Sequence, residues 1–312
     1  MGWLFEPGFF SSAPVHTAVV IGGVVAVVSA AVGIFTVIRG QSFAGHSLAD
    51  VSTAGGSGAL LLGLSPLTGF LAGGILGALS MDAIGVQRVR GRDVATGVVL
   101  GAATGCAALF LYLDTTTNAI NGATQQILFG SIFSIDPSTV PVVVACSVVA
   151  LGLTALTYRP LLLSSLSAEA AAARGVPVRL VGSLFMVALA FAVGLSALAI
   201  GAILSTALLI GPAASALRFT RRTGWAIGIA MIVGVVTTWL GILLAYDSYY
   251  WGSSRQPLPV SFFIVAIDFI FYLGSGIPAV AARRLRAPSS PSPSPSPSRR
   301  QAPLSSRPGA VR

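Results

Sequence analysis

Apolar residues run along this chain in nine long blocks, roughly residues 15 to 38, 44 to 63, 66 to 86, 93 to 113, 138 to 157, 181 to 199, 200 to 217, 223 to 245 and 258 to 281. Each block is near the length that an α-helix needs to cross a bilayer core, and short polar stretches separate most of them. The sixth and seventh form one apolar stretch from Leu180 to Leu217, too long for one ordinary helix, with Gly194 and Gly201 as the places to break or bend it. The pattern predicts an all-α integral membrane protein with about eight or nine transmembrane helices. Because the runs recur along the whole length, neither a cleaved signal peptide nor a single anchor explains them.

The polar stretches set the orientation. Arg39, the trio Arg88, Arg90 and Arg92, then Arg159, Arg174 and Arg179, then Arg218, Arg221 and Arg222, and finally Arg283, Arg284 and Arg286 all fall on one side if there are nine spans. Short loops rich in positive charge stay in the cytoplasm, so this side is expected to be cytoplasmic. The opposite side receives LDTTTNAINGATQQ and YDSYYWGSSRQPLP, which carry Arg255 alone. The N-terminal segment, residues 1–14, then faces outward, and its FEPGFF is also compatible with lying flat on the surface. Residues 15–286 form the polytopic membrane domain, with a long loop at about 158–179. Residues 287–312, APSSPSPSPSPSRRQAPLSSRPGAVR, have almost nothing apolar to bury and are expected to be a disordered cytoplasmic tail.

Composition agrees and removes several functions. The 312 residues are 54% hydrophobic and 9% charged, with mean hydropathy +0.88, far from a soluble domain. All eighteen basic residues are arginine. Without lysine the chain has neither a P-loop nor a Schiff-base amine. The formal charge of +9 sits in short clusters between apolar runs, which reads as topology and not as a nucleic-acid surface. Cys106 and Cys146 lie inside apolar stretches without ligand partners and read as small buried hydrophobes.

Few polar groups remain to carry chemistry. In RGQSFAGHSLAD, His46 and Asp50 are four residues apart, so a helix places them on one face, close enough to share a cation or to bond each other. Imidazole with carboxylate suits zinc, manganese or ferrous iron. The following STAGGSGALLLG lets helices approach closely; its GGSG has the form of an intramembrane protease nucleophile, but no histidine follows Ser57, so it reads as packing. In the loop at 158–179, SAEAAAARG predicts a short helix capped by Ser167 and ended by Gly175, either a docking element for a soluble partner or a plain connector. Asp268 lies inside the last span, where a charge is costly, and either lines a pathway or bonds a neighbouring helix. Glu6, Asp82, Asp93, Asp114, Asp136 and Asp247 fall near span ends or loops and call for no special role.

The order RGQSFAGHSLADVSTAGGSGALLLG, QQILFGSIFSI, SAEAAAARGVPV and VGLSALAIGAILSTALLIGPAASALRF resembles the membrane subunit of the zinc, manganese and iron class of ATP-binding-cassette importers, over roughly residues 15 to 282. The resemblance implies the type II importer permease fold in the plasma membrane. It further implies a homodimer, a cytoplasmic ATP-binding subunit carrying the ATP, and an extracellular metal-binding solute-binding protein. It implies no covalently bound cofactor, with the divalent metal as cargo. The family's coupling pattern Asp-Pro-Glu-x-Ala-x-x-x-Gly is met by Glu169, Ala171 and Gly175, with Ser167 and Ala168 in place of Asp and Pro. Pro212 and Ala213 match a Pro-Ala-Ala motif of a late span. The family's Asp-x-x-x-His pair is reversed here to His46 then Asp50, which keeps the ligand types and leaves the metal open. Rival readings are a permease of the same architecture for a siderophore or cobalamin chelate, a gradient-driven secondary transporter, for which no internal repeat is evident, and an intramembrane enzyme, for which no nucleophile–base pair or HExxH motif is present.

Overall fold

The computed structural model describes residues 9, 12–84, 92–116, 122–130, 132–220, 222–251 and 258–286. Their helices, in order, are α1 (Ala13–Ile38), α2 (Ser42–Leu61), α3 (Pro66–Ile84), α4 (Arg92–Thr116), α5 (Ala123–Phe129), α6 (Val140–Leu156), α7 (Tyr158–Leu166), α8 (Ala168–Ala173), α9 (Val178–Ile200), α10 (Ala202–Phe219), α11 (Thr223–Ser248) and α12 (Val260–Arg286). Each of the nine expected spans coincides with one long helix. Seven of these are long and apolar enough to cross a membrane: α1, α3, α4, α6, α9, α10 and α11. The 20-residue α2 is diluted by its Gly, Ser and His, and the apolar part of α12 is the shorter Val260–Gly276. The tail 287–312, most of the segment 1–14, and Arg88, Arg90, Arg221 and Arg255 lie outside the described residues.

A helix in lipid satisfies its own backbone, so what remains to be decided is which faces meet. Here α1 and α9 form the buried centre, while α4 and α6 are the least covered. Small residues draw the central helices together. Ser29 of α1 and Ser196 of α9 hydrogen-bond hydroxyl to hydroxyl at 2.6 Å, fully buried. Gly55 of α2 lies against the Gly69 carbonyl and the Gly73 Cα of α3, so the STAGGSG segment does serve packing. Larger side chains fill the rest: Phe35, Leu48, Met81, Phe185 and Leu189 towards one end, Ile21, Ile132, Leu195, Ile242 and Ile264 towards the other.

The two ends are chemically distinct. At one, the α1–α2 turn, α3, α7 and the start of α9 are tied by polar contacts, such as Ser183 donating to Asp82 at 2.5 Å, and the described loop arginines Arg39, Arg159, Arg174 and Arg179 cluster there. This is the arginine end. At the far end Phe9 packs edge-on against Tyr246, and the Leu258 amide donates to Ser248 Oγ at 2.9 Å.

Three expectations change. The apolar block Leu180–Leu217 breaks at Gly201 alone, with φ +87°, whereas Gly194 continues α9 and packs beside the Phe70 carbonyl. Gly201 is chosen because the chain there meets Gly130 backbone to backbone: a Cβ on Gly130 would stand 2.6 Å from the Gly201 amide nitrogen. Cys106 is exposed and Cys146 half-buried, so neither is the buried hydrophobe expected. A lipid-facing helix is apolar on its outer face as well, and an apolar neighbourhood does not locate the core. Finally, Asp114 and Asp247 are fully buried, although they lie near span ends.

Candidate functional site

The site begins at a tight turn. Gly40, at φ +62°, lets the chain reverse from α1 into α2, and the Gln41 amide bonds back to the Thr36 carbonyl at 2.9 Å. The Gln41 carbonyl then accepts from the Gly45 amide at 2.9 Å, the first bond of α2. His46 and Asp50 follow on the next turns, both half-buried, about 6 and 12 Å along the axis from Ser42. They therefore lie in the half of α2 nearer the arginine end.

Asp50 turns towards α4, where Thr104 Oγ1 donates to its Oδ2 at 2.5 Å. The same hydroxyl lies 2.8 Å from the Leu100 carbonyl, so one proton is shared between two acceptors. Asp50 is thus held by a neutral donor, the Thr104 hydroxyl. Among those residues no group of three or more His, Cys, Asp and Glu side chains is placed to hold a metal ion. The pair offers an imidazole and a carboxylate, the donor types that suit zinc, manganese or ferrous iron.

The remaining sequence-derived candidates stand elsewhere. Glu169, Ala171 and Gly175 are at the arginine end on and after α8. Ser167 Oγ accepts from the Ala170 amide at 3.2 Å, so serine supplies the capping oxygen that an aspartate would offer at this position. Glu169 is exposed in the first turn, Ala171 is fully buried, and Gly175 ends the helix at φ +78°. Asp268 lies mid-span between α10 and α11, packed on Gly211, and among the described residues neither of its carboxylate oxygens is hydrogen-bonded; Thr237 faces it from α11 but donates to the Gly234 carbonyl. On α10, Leu209 faces Gly33 and Gly45, two residues and about 200° from Gly211, so Asp268 and the His46–Asp50 pair sit on opposite sides of that helix.

At the far end, two clefts of about 390 and 220 Å³ open beside α5, sharing Gln126 and Ser134. Asp136 lines the smaller; hydrogen bonds from Ser138, first its hydroxyl and then its amide, hold the carboxyl below the usual carboxylate range. Thr104 was not singled out in the sequence, since a threonine in an apolar run carries no signal until its partner is known. Arg39 carries only an orientation signal in the sequence.

The seven apolar helices and the family match together define a multi-pass plasma-membrane protein whose function is transport. A family model described as ABC 3 transport family matches residues 12–275, and the chain belongs to that family. It is 27% identical to the manganese import system permease protein ScaB of Streptococcus pneumoniae, over 88% of this chain and 92% of that protein. It is 24% identical to the high-affinity zinc uptake system membrane protein ZnuB of Haemophilus influenzae, over 74% and 88% respectively. Among solved structures, PsaBC from Streptococcus pneumoniae in complex with Fab superposes with TM-score 0.72 at 24% identity, covering 86% of this chain and 92% of that one, which fixes the shared fold.

Proposed function

We propose that this chain is the membrane permease subunit of an ATP-driven importer of a divalent transition metal, manganese or zinc, with iron also within its ligand chemistry. The observation that carries the reading is the His46–Asp50 pair on one face of α2, the only imidazole–carboxylate pair at helical spacing in a chain with two histidines. The manganese and zinc relatives support the same cargo class. Two donors bind weakly enough to release; a closed four-ligand site would retain the ion. Asp268, across α10 from the pair, is a second carboxylate that the ion could meet only by another route, and its packing on Gly211 favours the role of a helix contact.

The energy comes from a separate cytoplasmic subunit, because a chain without lysine has no P-loop. That subunit docks on α8, whose exposed Glu169 projects from a helix capped at both ends. Two copies of the chain pair in the membrane, each with its own ATPase, and an extracellular solute-binding protein delivers the metal at the far end. The arginine end is then cytoplasmic. ATP-driven closure of the ATPases displaces α8 and shifts the spans between two arrangements.

The test is ATP-dependent uptake of radiolabelled manganese and zinc into proteoliposomes holding this chain with its ATPase and binding protein. His46→Ala and Asp50→Ala should each lower uptake about tenfold or more, with assembly unchanged; loss of even an indirect partner of a bound metal has effects of that size. Normal uptake in both variants removes the pair from the path. An assembled complex that moves neither metal points to a chelate as cargo.

A further inference from the structure

Arg39 stands where α1 ends, and its guanidinium reaches three other elements at once. Its Nε donates to Gln41 Oε1 at 3.3 Å, at the head of α2. Its Nη1 donates to Ser164 Oγ at 3.0 Å, on α7. Its Cζ lies 5.7 Å from the ring centroid of Phe185, on α9. Ser164 is well suited to receive it, because its own proton goes to the Leu161 carbonyl at 3.0 Å and leaves a lone pair for the arginine.

On the other side of this contact, α7 and α8 form one short unit. Only Ser167 separates them; its amide bonds back to the Leu163 carbonyl at 3.2 Å, and its carbonyl accepts from the Ala171 amide at 3.1 Å. A displacement of α8 is therefore delivered to α7. Around Arg39 the contacts between α1, α7 and α9 are aromatic: Phe35 meets Tyr158 and Phe185 edge-on, at 5.7 and 6.4 Å between ring centroids. Apolar packing is non-directional and lets surfaces slide. A charged fork bonded at both tines does not slide, because guanidinium geometry fixes direction and distance together.

We propose that Arg39 is the positioning residue that transmits movement of α8, through Ser164, to the head of α2 and so to His46 and Asp50. The inference rests on the importer reading above, since it needs α8 to be driven and the pair to handle metal. His46 follows Arg39 by seven residues, five of them within α2, so a shift or tilt of the head of the helix moves both donors as a rigid body.

The experiment measures radiolabelled manganese uptake and ATP hydrolysis in the same proteoliposomes, with the complete complex carrying Ser164→Ala, Arg39→Lys or both. Ser164→Ala removes the acceptor with a minimal change of shape, and lysine keeps the charge but cannot fork to both partners. Manganese moved per ATP should fall about fivefold or more in each single variant, the low end of a working inter-site coupling, with melting temperature and ATP hydrolysis retained. The double variant should be no worse than the worse single, because both break one contact. Unchanged manganese per ATP in both single variants overturns the proposal. So does a parallel loss of hydrolysis, uptake and melting temperature, which marks a merely structural contact. A wild-type complex that hydrolyses ATP without moving manganese or zinc removes the importer reading first and this inference with it, an outcome visible before any variant is compared.

Discussion

Replacing Gly201 by alanine strikes directly at the break between α9 and α10. The residue sits at φ +87° and ψ 159°, a region that side-chain-bearing residues avoid, with a strain of about 1–3 kcal/mol. The new Cβ would also point at the Leu128 carbonyl and stand 2.5 Å from the Gly130 amide nitrogen. Restoring an ordinary separation of about 3.5 Å requires about 1 Å of movement between two backbones that have no side chain to give way. Overpacking of that kind costs about 1–3 kcal/mol, so the sum is about 2–6 kcal/mol. Tryptophan fluorescence of the purified protein in detergent should show a melting temperature lower by about 5 °C or more. Gly97→Ala is the control: nothing lies within 4 Å of the added Cβ, and it sits inside α4, where alanine is the better helix former by about 1 kcal/mol. A Gly201→Ala protein that melts with the wild type, or a Gly97→Ala protein that is equally damaged, refutes the argument that backbone contact fixes this break.

Two further outcomes follow from the site. Thr104→Val removes the hydroxyl that donates to Asp50 without changing shape, and if the pair handles metal as proposed, manganese affinity measured by titration should weaken about tenfold, the effect of losing a residue that supports a metal ligand. Ser167→Ala deletes the cap of a six-residue helix, a loss of about 0.5–2 kcal/mol, and should weaken binding of the ATPase subunit in a pull-down while leaving metal affinity untouched.

The nine helices were legible because apolar length is a direct physical requirement of the bilayer, and each run expected in the sequence is one helix. The short helix α8 was legible for a different reason: Ser167 and Gly175 are local signals, and both act where they stand. What failed to show was tertiary. Gly194 and Gly201 look alike in a string of letters, and only the crossing with Gly130 tells them apart. The exposure of Cys106 is invisible because lipid accepts the same side chains as a core. The helices α5 and α7, within stretches read as loops, lack the length that makes a span conspicuous. Of the candidate site, His46 and Asp50 stand out by spacing, but the contacts of Asp50 with Thr104 and of Arg39 with Ser164 span 54 and 125 residues of chain, where no sequence window looks.

The break at Gly201 also limits how the molecule can move. A single residue joins α9 to α10, so their facing ends, Ile200 and Ala202, can never stand more than about 7 Å apart. A tether that short has no slack. The two helices can hinge about their common tip, opening at the arginine end like a pair of tongs, but they cannot separate at the far end. Any aperture on the far side therefore has to form between other helices, with this corner closed.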